Sequence, residues 1–355
     1  MQVRAPIQVS LAVWGCLLAS ATVSAQTDPG SLERTRPQVE AAPAQKDLPK
    51  ITGPALPPEA ASVIDQTFVL SAVVIDGANV LSSDELAKSF EPYLASRVGQ
   101  VELNKIAQDI TARYRQAGYL LSYAMVPKQS VQFGIVHIQV VEGFVGRVRL
   151  AGDPKTATSV LGIFESLAAD KPLRAKSLER AIGLGRDVPG VIISDVQISR
   201  SAEDPAQHVL TVVLGSDRFR ALTYLDNRGN VTNARMRSYS SFSLASAVIP
   251  GDQLQVDLFA IPYDQFRYAY GQVKASVPIG SGGLRIATSA SYGDSFERLT
   301  GPDQDGMSRQ LVAELSYPFV KSRAFSMTGH VQLGDLKSEL ERVGIIVQRD
   351  RIQVA

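Results

Sequence analysis

Residues 133–152 read FGIVHIQVVEGFVGRVRLAG, and they contain two apolar-rich runs on either side of Glu142-Gly143. The runs 134–141 and 144–150 alternate apolar and polar side chains and are rich in Val and Ile, which is typical of half-buried β-strands. Ala151-Gly152 then ends the second run as a turn. The stretch therefore predicts that the last strand of one folding unit leads directly into the first strand of the next.

The unit upstream, residues 66–143, predicts the order β-α-α-β-β. Its first strand, 68–75, ends at Asp76-Gly77. Ser82-x-x-Glu85 is a capping box, and we expect the helix behind it to run to residue 94. The second helix carries apolar residues at helical spacing, and Gly118 ends it as a left-handed cap. Two strands follow, at 119–126 and 134–141.

The same order recurs downstream, in residues 144–216. A strand at 144–150 precedes helices at 157–169 and 177–186, and Pro189-Gly190 closes the second helix. Strands at 191–198 and 208–214 complete this unit. Two copies of one small α/β unit form an internal repeat. The edge strands of such small sheets can accept an extended peptide through main-chain hydrogen bonds.

From Phe219 the helical spacing disappears, and residues 217–355 alternate with the period of two that strands require. The pattern predicts seven strands, with the start of an eighth near residue 349. The turns at 249–251, 280–283 and 320–323 are tight, whereas 293–307 and 334–348 read as long polar loops. Short turns on one side and long loops on the other are typical of an outer-membrane barrel, with a soluble β domain as the alternative. Most aromatic residues lie near predicted strand ends and suggest interfacial girdles; they are Tyr224, Tyr239, Phe259, Tyr263, Phe266, Tyr268, Tyr292, Tyr317 and Phe319.

The N-terminus predicts an export signal in residues 1–25. Arg4 precedes an apolar run of about 13 residues, which is shorter than the roughly 20 that span a bilayer as a helix. Small residues then lead to a cleavage site between Ala25 and Gln26. An uncleaved anchor and a lipoprotein acylated at Cys16 are the alternatives. The following segment, 26–65, contains seven prolines and predicts a mostly extended periplasmic linker.

The composition excludes several classes of protein. Among the 355 residues, 36 Lys and Arg balance 35 Asp and Glu, so the basic excess of a nucleic-acid binder is missing. Three scattered histidines and one cysteine give no zinc spacing and no intrachain disulfide. The sequence contains no phosphate-binding loop of the G-x-x-x-x-G-K-[ST] type, no G-x-S-x-G and no H-E-x-x-H. We therefore expect no enzyme activity, no metal, no nucleotide and no cofactor.

An ordered series of short motifs resembles the two-partner secretion transporters of the haemolysin secretion/activation family. The motifs are Gly118-Tyr119 with Pro127, Val140-Val-Glu142-Gly143 followed by Val145-Gly-Arg-Val-Arg149, Leu178-Glu-Arg-Ala181 through Pro189-Gly190, Asp226-Asn227-Arg228-Gly229, Pro250-Gly-Asp-Gln-Leu254, and Ser316-Tyr-Pro-Phe319 with Ser322-Arg323. The resemblance implies two POTRA domains, 66–143 and 144–216, and then the N-terminal part, 217–355, of a 16-strand outer-membrane barrel. On this basis we expect the first seven or eight strands here, and we interpret the chain as truncated.

The resemblance also implies a function and a set of candidate residues. Family members secrete a large β-helical exoprotein after recognising its N-terminal secretion domain. The POTRA candidates for structure or partner binding are Gly77, Gly118, Tyr119, Glu142, Gly143, Pro189 and Gly190, and the start of the barrel is marked by Asp226, Asn227 and Gly229. The expected partners are this exoprotein, held by strand addition, and outer-membrane lipid. A barrel-assembly factor and a soluble periplasmic POTRA module with a non-functional barrel are the alternatives.

Overall fold

The computed structural model describes residues 7–11, 50–53, 67–227, 236–262, 266–298 and 303–354. Two short strands come first, β1 (Ile7–Leu11) and β2 (Lys50–Thr52). The predicted cleavage site at Ala25 and Gln26, most of the predicted linker, and Gly229 lie outside the described residues. Within the described ranges, no helix is both long and apolar enough to cross a membrane.

The first α/β domain, residues 67–143, packs one long helix against a small sheet. Its elements are β3 (Phe68–Val69), β4 (Ala72–Asp76), α1 (Ser83–Ala87), β5 (Arg97–Val98), α2 (Gln100–Gln116), β6 (Tyr123–Met125) and β7 (Ile135–Val141). In the main sheet, β7 lies between the parallel β4 and the antiparallel β6. Leu103, Ile106, Ile110 and Tyr114 on one face of α2 are fully buried. Each such side chain contributes about 1.5–3 kcal/mol, so this face supplies much of the core.

The first helix is shorter than its sequence predicts. Ser82 is its N-cap, and the Ser82 hydroxyl accepts a hydrogen bond from the backbone N–H of Glu85 at 3.3 Å. However, α1 ends at Ala87, and only a single 3₁₀ turn, Glu91–Tyr93, follows. The prediction of a helix to residue 94 was therefore wrong. Pro92 prevents a continuous helix to residue 94, because it has no N–H to donate to the carbonyl oxygen of Lys88.

The second α/β domain, residues 144–216, repeats this order with longer strands. Its elements are β8 (Phe144–Ala151), α3 (Pro154–Glu165), a 3₁₀ turn (Ser166–Ala169), α4 (Ala175–Asp187), β9 (Val191–Arg200) and β10 (Gln207–Ser216). β10 lies between the parallel β8 and the antiparallel β9. Phe164, Leu173, Val196 and Leu210 are fully buried at the centre of its own core.

Two glycines show that the domains use the same turn. Gly77 follows β4 with φ +82°, and Gly152 follows β8 with φ +145°. A Cβ at Gly77 would lie 2.5 Å from the carbonyl oxygen of Val140 in β7, and one at Gly152 would lie 2.3 Å from that of Leu214 in β10. In each domain, therefore, the chain leaves the first strand by passing directly over the last strand, and only glycine fits there.

Residues from 219 onward form one large antiparallel sheet. Its strands are β11 (Phe219–Asp226), β12 (Arg237–Ala245), β13 (Gln253–Ile261), β14 (Phe266–Ile279), β15 (Leu284–Glu297), β16 (Gln304–Lys321), β17 (Phe325–Arg342) and β18 (Ile345–Val354). Each strand is antiparallel to the next, and β1 pairs in parallel with the start of β17. This gives eight consecutive strands, within the seven or eight that the sequence predicts.

The two long polar loops predicted at 293–307 and 334–348 are wrong, because much of each segment is strand. β15 continues to Glu297, and β17 continues to Arg342 before a tight turn at Val343-Gly344. Polar residues occupy both faces of these extensions, so no apolar stripe marks them in the sequence. Cross-strand ion pairs stabilise them instead, for example Glu339 with Arg349 at 2.9 Å.

The two faces of the large sheet differ sharply in polarity. One row that crosses five neighbouring strands consists of Phe242, Val256, Val273, Ala290 and Leu311. Phe242 is 39% exposed, Val273 48% and Leu311 60%. So large an apolar face is unusual against water and is typical of a surface that meets lipid.

The adjacent row, on the opposite face, is entirely polar. It consists of Ser241, Asp257, Gln272, Ser291 and Gln310. Each of these residues is adjacent in the sequence to a member of the apolar row. The alternation of apolar and polar faces is what a transmembrane barrel requires of its outer and inner surfaces.

Several of the predicted girdle aromatics lie on the polar face instead. Tyr224, Tyr239, Phe259 and Tyr268 pack together there; the rings of Tyr224 and Tyr239 are 5.4 Å apart. The Tyr239 hydroxyl donates to the Asp257 carboxylate at 2.8 Å. Their assignment to interfacial girdles was wrong, since period-two alternation places these rings on the polar face of the sheet, where a tyrosine hydroxyl can find a partner. Tyr263 lies outside the described residues, as does the side chain of Phe266.

Candidate functional site: strand edges and the sheet junction

The carboxylate of Glu142 joins the end of β7 to the turn after β4. It accepts hydrogen bonds from the backbone N–H groups of Asn79 at 2.7 Å and Val80 at 3.0 Å, and from the Tyr114 hydroxyl at 2.8 Å. Partial burial opposes the charge, but these hydrogen bonds outweigh it and hold the pKa of Glu142 below its usual range. Burial next to this carboxylate raises the pKa of Tyr114, so its hydroxyl stays a donor. Glu142 therefore holds the first domain together.

Gly118 and Gly143 form the joint between the two α/β domains. The carbonyl oxygen of Gly118 accepts a hydrogen bond from the N–H of Ala175 at 2.8 Å, and that of Gly143 accepts one from Leu173 at 2.9 Å. Gly118 has φ +94°. A Cβ at Gly143 would lie 2.6 Å from the carbonyl oxygen of Leu121, which explains why a glycine is needed there. Tyr119 packs edge-on against Tyr114, with ring centres 6.1 Å apart.

Gly190, directly after Pro189, lies where the second domain meets the large sheet. Its carbonyl oxygen accepts a hydrogen bond from the N–H of Asp217 at 3.0 Å. A Cβ at Gly190 would lie 2.6 Å from the Cβ of Ala245 at the end of β12. The glycine therefore allows the two bodies to approach closely.

Arg180 on α4 clamps this domain to the turns of the sheet. Its guanidinium donates to the backbone carbonyl oxygens of Pro318 at 3.0 Å, Phe319 at 3.2 Å and Gly282 at 3.3 Å. It also faces the ring of Tyr317 at 6.0 Å. One side chain thus binds both the β14–β15 turn and the end of β16, on the same side of the sheet. Arg180 lies within the Leu178–Ala181 motif quoted from the sequence, but this contact was not predicted, because its acceptors lie more than 100 residues away.

Further polar contacts surround this clamp. Lys321 pairs with Asp187 at 2.6 Å, and Arg218 donates to the carbonyl oxygens of Ala245 at 3.2 Å and Ser246 at 2.7 Å. A cavity of about 440 Å³ lies between α3, α4 and the sheet turns; Gly162, Leu184, Pro278, Gly283 and Arg285 are among its lining residues. The second domain is therefore fixed on the sheet by side chains that bind its tight turns.

The turn between β12 and β13 is held by Asp252. The carboxylate of Asp252 accepts three backbone N–H groups, from Ala247 at 2.6 Å, Val248 at 2.8 Å and Ile249 at 2.9 Å. Partial burial opposes its charge, yet these bonds hold the pKa of Asp252 below its usual range. This capping gives a physical reason for Asp252 in the Pro-Gly-Asp motif.

The barrel-start motif lies at the opposite end of the sheet. Asp226 ends β11 and forms a two-pronged ion pair with Arg237 at the start of β12, at 2.9 and 3.1 Å. Asn227 follows Asp226, and Gly229 is outside the described residues. Because the motif is remote from both α/β domains, the structure does not bring it together with the POTRA candidates.

The edge strands of the two small sheets differ in availability. The N–H of Ala124 in β6 donates to the Thr111 hydroxyl on α2 at 2.9 Å, so a helix side chain already occupies this edge. β9 carries a strand from elsewhere in the chain, because Lys50, Ile51 and Thr52 of β2 pair in parallel with Asp195, Val196 and Gln197. The edge of β9 is therefore a surface on which an added strand is seen.

Comparison with known proteins identifies the class. The family model for POTRA domains of the ShlB type matches residues 68–143. A POTRA domain followed by an antiparallel sheet with one apolar face defines an outer-membrane protein whose POTRA domain lies in the periplasm.

The relatives are more specific. The heme/hemopexin transporter protein HuxB of Haemophilus influenzae (strain 86-028NP) is 24% identical over 363 residues, which cover 99% of this chain and 63% of HuxB. The outer membrane transporter CdiB of Escherichia coli is 23% identical over 175 residues, 47% of this chain and 30% of CdiB. The chain is thus a homologue of the two-partner secretion transporters HuxB and CdiB. It spans less than two thirds of the length of these relatives.

Solved structures show the same fold. CdiB from Escherichia coli matches with a TM-score of 0.62 at 17% identity, over 84% of this chain and 56% of that one. CdiB from Acinetobacter baumannii matches with a TM-score of 0.55 at 14% identity, over 82% and 58%. Both matches extend well beyond the segment of the POTRA family model.

Proposed function

We propose that this protein exports a large β-helical exoprotein across the outer membrane by two-partner secretion, without nucleotide hydrolysis or any catalytic step. In this proposal residues 144–216 are a second POTRA domain, and residues 217–355 belong to a transmembrane barrel. The observation that carries the proposal is the clamp of Arg180 on the sheet turns, because it fixes a strand-accepting domain directly at one end of an amphipathic sheet.

The polarity of the sheet supports a route for an unfolded chain. The polar face carries ionisable groups in contact, such as Glu314 with His330 at 2.9 Å and with Lys274 at 3.4 Å. Such a face suits the hydrated interior of a barrel, whereas the apolar face suits lipid. The exoprotein would be held as an extended strand by the α/β domains and passed to this interior. Its folding outside the cell would supply the direction of transport.

Gene deletion tests the proposed export. We expect deletion to remove one large repetitive protein from the culture medium, as measured by mass spectrometry, and plasmid-borne parent gene to restore it. The levels of other outer-membrane proteins should stay unchanged. A general fall in those proteins would indicate a barrel-assembly factor instead, and an unchanged medium would contradict the proposal.

Two neighbouring residues test the proposed lipid contact. Val273 belongs to the apolar row and Gln272 to the polar row. We expect Val273→Lys to destabilise the protein in membranes by about 2–4 kcal/mol, the cost of a basic side chain near the middle of the lipid face of a barrel, and Gln272→Lys to have little effect. Heat-modifiable gel migration of membrane fractions measures both. Recovery of the parent chain in the soluble periplasmic fraction would favour the soluble POTRA module.

A further inference from the structure

We propose that the cavity between α3, α4 and the sheet turns binds a carboxylate side chain of the exported chain, through the guanidinium of Arg285, where that chain enters the barrel. The inference rests on the proposed export function and assigns the chemistry that this entrance recognises. The cavity has a volume of about 440 Å³. Ligand pockets usually measure about 300–1,000 Å³, so one amino-acid side chain with its flanking backbone fits this space.

The strand residues that line the cavity belong to the polar face of the large sheet. Arg285 lies six residues before Ser291 of the polar row, so the alternation of β15 places both on the same face. Ser316, which also lines the cavity, is the direct partner of Arg285 in the register. Thr328, a third lining residue, lies two residues before His330, the partner of Ser316. In the proposed barrel this face is the interior, so the cavity lies at its entrance beside the second α/β domain.

Arg285 uses only part of its donor capacity within the described residues. Its Nη2 group donates to the carbonyl oxygen of Gly251 at 3.1 Å and to the Ser276 hydroxyl at 2.8 Å. These two bonds hold the guanidinium in place. Among the described residues, the structure gives no hydrogen-bond acceptor for its Nε or Nη1 group. Arginine has five N–H donors and binds carboxylates strongly, so the other donors can hold an anion in the cavity.

The acidic groups beside the cavity already have partners. Asp187, which lines it, forms an ion pair with Lys321 at 2.6 Å. The Asp252 carboxylate accepts three backbone N–H groups of its own turn. An incoming carboxylate therefore meets the positive charge of Arg285 and no unpaired acid among these residues. Electrostatic complementarity favours an acidic side chain at this point over a neutral or basic one.

The remaining walls of the cavity are largely apolar. Aliphatic side chains and proline rings form them, including Ile163, Leu184, Val188, Pro250, Pro278 and Pro318. Apolar walls lower the local dielectric, which strengthens a hydrogen bond between charged groups. A glutamate fits this arrangement, because its methylene groups pack on the walls while its carboxylate reaches Arg285.

The first experiment compares two peptides on the full chain in detergent. The probes are nine-residue peptides of glycine and serine with glutamate or glutamine in the middle. Each is biotinylated at the N-terminus and amidated at the C-terminus, so the glutamate side chain is the only carboxylate. On a biosensor we expect the glutamate peptide to bind about tenfold more tightly, the effect of one hydrogen bond between charged groups. Equal binding of the two peptides would overturn the inference.

Two variants then test the assignment to Arg285. Arg285→Gln should reduce the preference for glutamate to less than about twofold. Arg298→Gln should keep the preference, because it removes an exposed arginine that pairs with Asp303 just beyond the other end of β15. Arg285→Gln also loses two hydrogen bonds to the protein, so Ser281→Trp is the second variant, which fills the cavity and leaves those bonds in place. A preference that persists in Ser281→Trp, or in folded Arg285→Gln, would place the carboxylate site elsewhere.

Competition distinguishes the sources of the anion. Inorganic phosphate and dihexanoyl phosphatidylglycerol, each at the concentration of the peptide, should displace less than half of the bound glutamate peptide. Displacement of half or more by either compound would assign the site to free phosphate or to a lipid headgroup, and would overturn the assignment to the exported chain.

The two proposals can fail separately. If gene deletion leaves the medium unchanged while the glutamate peptide still binds through Arg285, the export function fails and the carboxylate site stands. If export is verified, Arg285→Gln should lower the amount of exoprotein in the medium. Export at the parent level, together with unchanged peptide preference in this variant, would show that the assignment to Arg285 is wrong.

Discussion

The two α/β domains share an order of elements but use the ends of their last strands differently. After β7, Glu142 turns back and binds the Asn79 and Val80 amides of its own domain. After β10, Arg218 reaches forward and binds the carbonyl oxygens of the β12–β13 turn. The end of the last strand thus makes contacts within its own domain in the first case, and with the large sheet in the second.

The glycines that follow the second helix of each domain, Gly118 and Gly190, also differ in their contacts with the rest of the molecule. No described atom lies within 4 Å of a Cβ placed at Gly118, whereas one at Gly190 would meet Ala245 of the large sheet at 2.6 Å. Gly118 is therefore needed mainly for its backbone conformation, and Gly190 also for close approach. One fold has been adapted at equivalent positions to two tasks.

The largest expected effect tests whether the two domains share the turn after their first strand. Gly77→Ala and Gly152→Ala should each destabilise their own domain by about 3 kcal/mol, since the added Cβ meets a backbone carbonyl oxygen at a positive φ. Domain-resolved hydrogen exchange on the full chain measures this, with Gly282→Ala, where no described atom lies within 4 Å of the added Cβ, as the control. An effect in only one domain would break the equivalence.

Loss of the hydrogen bonds to Glu142 should have the next largest effect on stability. Glu142→Ala leaves the amides of Asn79 and Val80 without their acceptor, and we expect a loss of about 2 kcal/mol in the first domain and little change in the second. The free energy of opening from hydrogen exchange provides the measurement. Equal losses in both domains would show that the network is not confined to the first.

The same carboxylate predicts a pH dependence. Because the pKa of Glu142 is lower in the folded state, its contribution is full above its usual value of 4.5 and is lost as the pH falls through the folded pKa. The stability difference between the parent and Glu142→Gln should therefore shrink on acidification from about pH 6 to pH 4 and below. A constant difference would contradict a titrating role for Glu142.

Removing the Arg180 contacts should have a smaller effect, confined to the junction between the second α/β domain and the large sheet. Arg180→Ala loses hydrogen bonds to three carbonyl groups but exposes those groups to water, so we expect about 1 kcal/mol. Faster amide hydrogen exchange at residues 280–283 and 317–321 would show this loss of stability. Arg174→Ala removes an exposed partner of Asp170 and is the control. Unchanged exchange in Arg180→Ala would mean that the clamp does not hold the junction.

The smallest effect is expected at Gly118. Gly118→Ala adds only the cost of a positive φ in a residue with a side chain, about 1 kcal/mol. Gly190→Ala should cost more, and its effect should spread to β12, because it also forces Ala245 away. If both substitutions had similar effects confined to their own surroundings, Gly190 would not be needed for close approach of the large sheet. Thermal unfolding with exchange mapping distinguishes these outcomes.

Local patterns predicted most of the elements. The helical spacing of Leu103 to Tyr114 and the positive φ required at Gly118 were readable from the sequence, and so was the period of two from Phe219 onward. The length of β17 was not, since its polar extension is stabilised by ion pairs with β18 rather than by an apolar stripe.

The candidate site was less predictable than the fold. Gly118, Gly143 and Gly190 were singled out by motif, and the structure places them at joints between bodies. The contacts of Arg180 with the large sheet and the pairing of β2 with β9 could not be inferred, because both join segments more than 100 residues apart and leave no local spacing in the sequence.

Hydrogen bonds to main-chain carbonyl oxygens hold the joint between the two α/β domains and the joint between the second domain and the large sheet. Leu173 and Ala175 donate to glycine carbonyl oxygens, and Arg180 binds the carbonyl oxygens of Gly282, Pro318 and Phe319. Every residue type presents a carbonyl oxygen, so such a joint specifies where the acceptor chain runs and not which side chains it carries. The acceptor residues can thus change their side chains while the main-chain hydrogen bonds of the joint are kept.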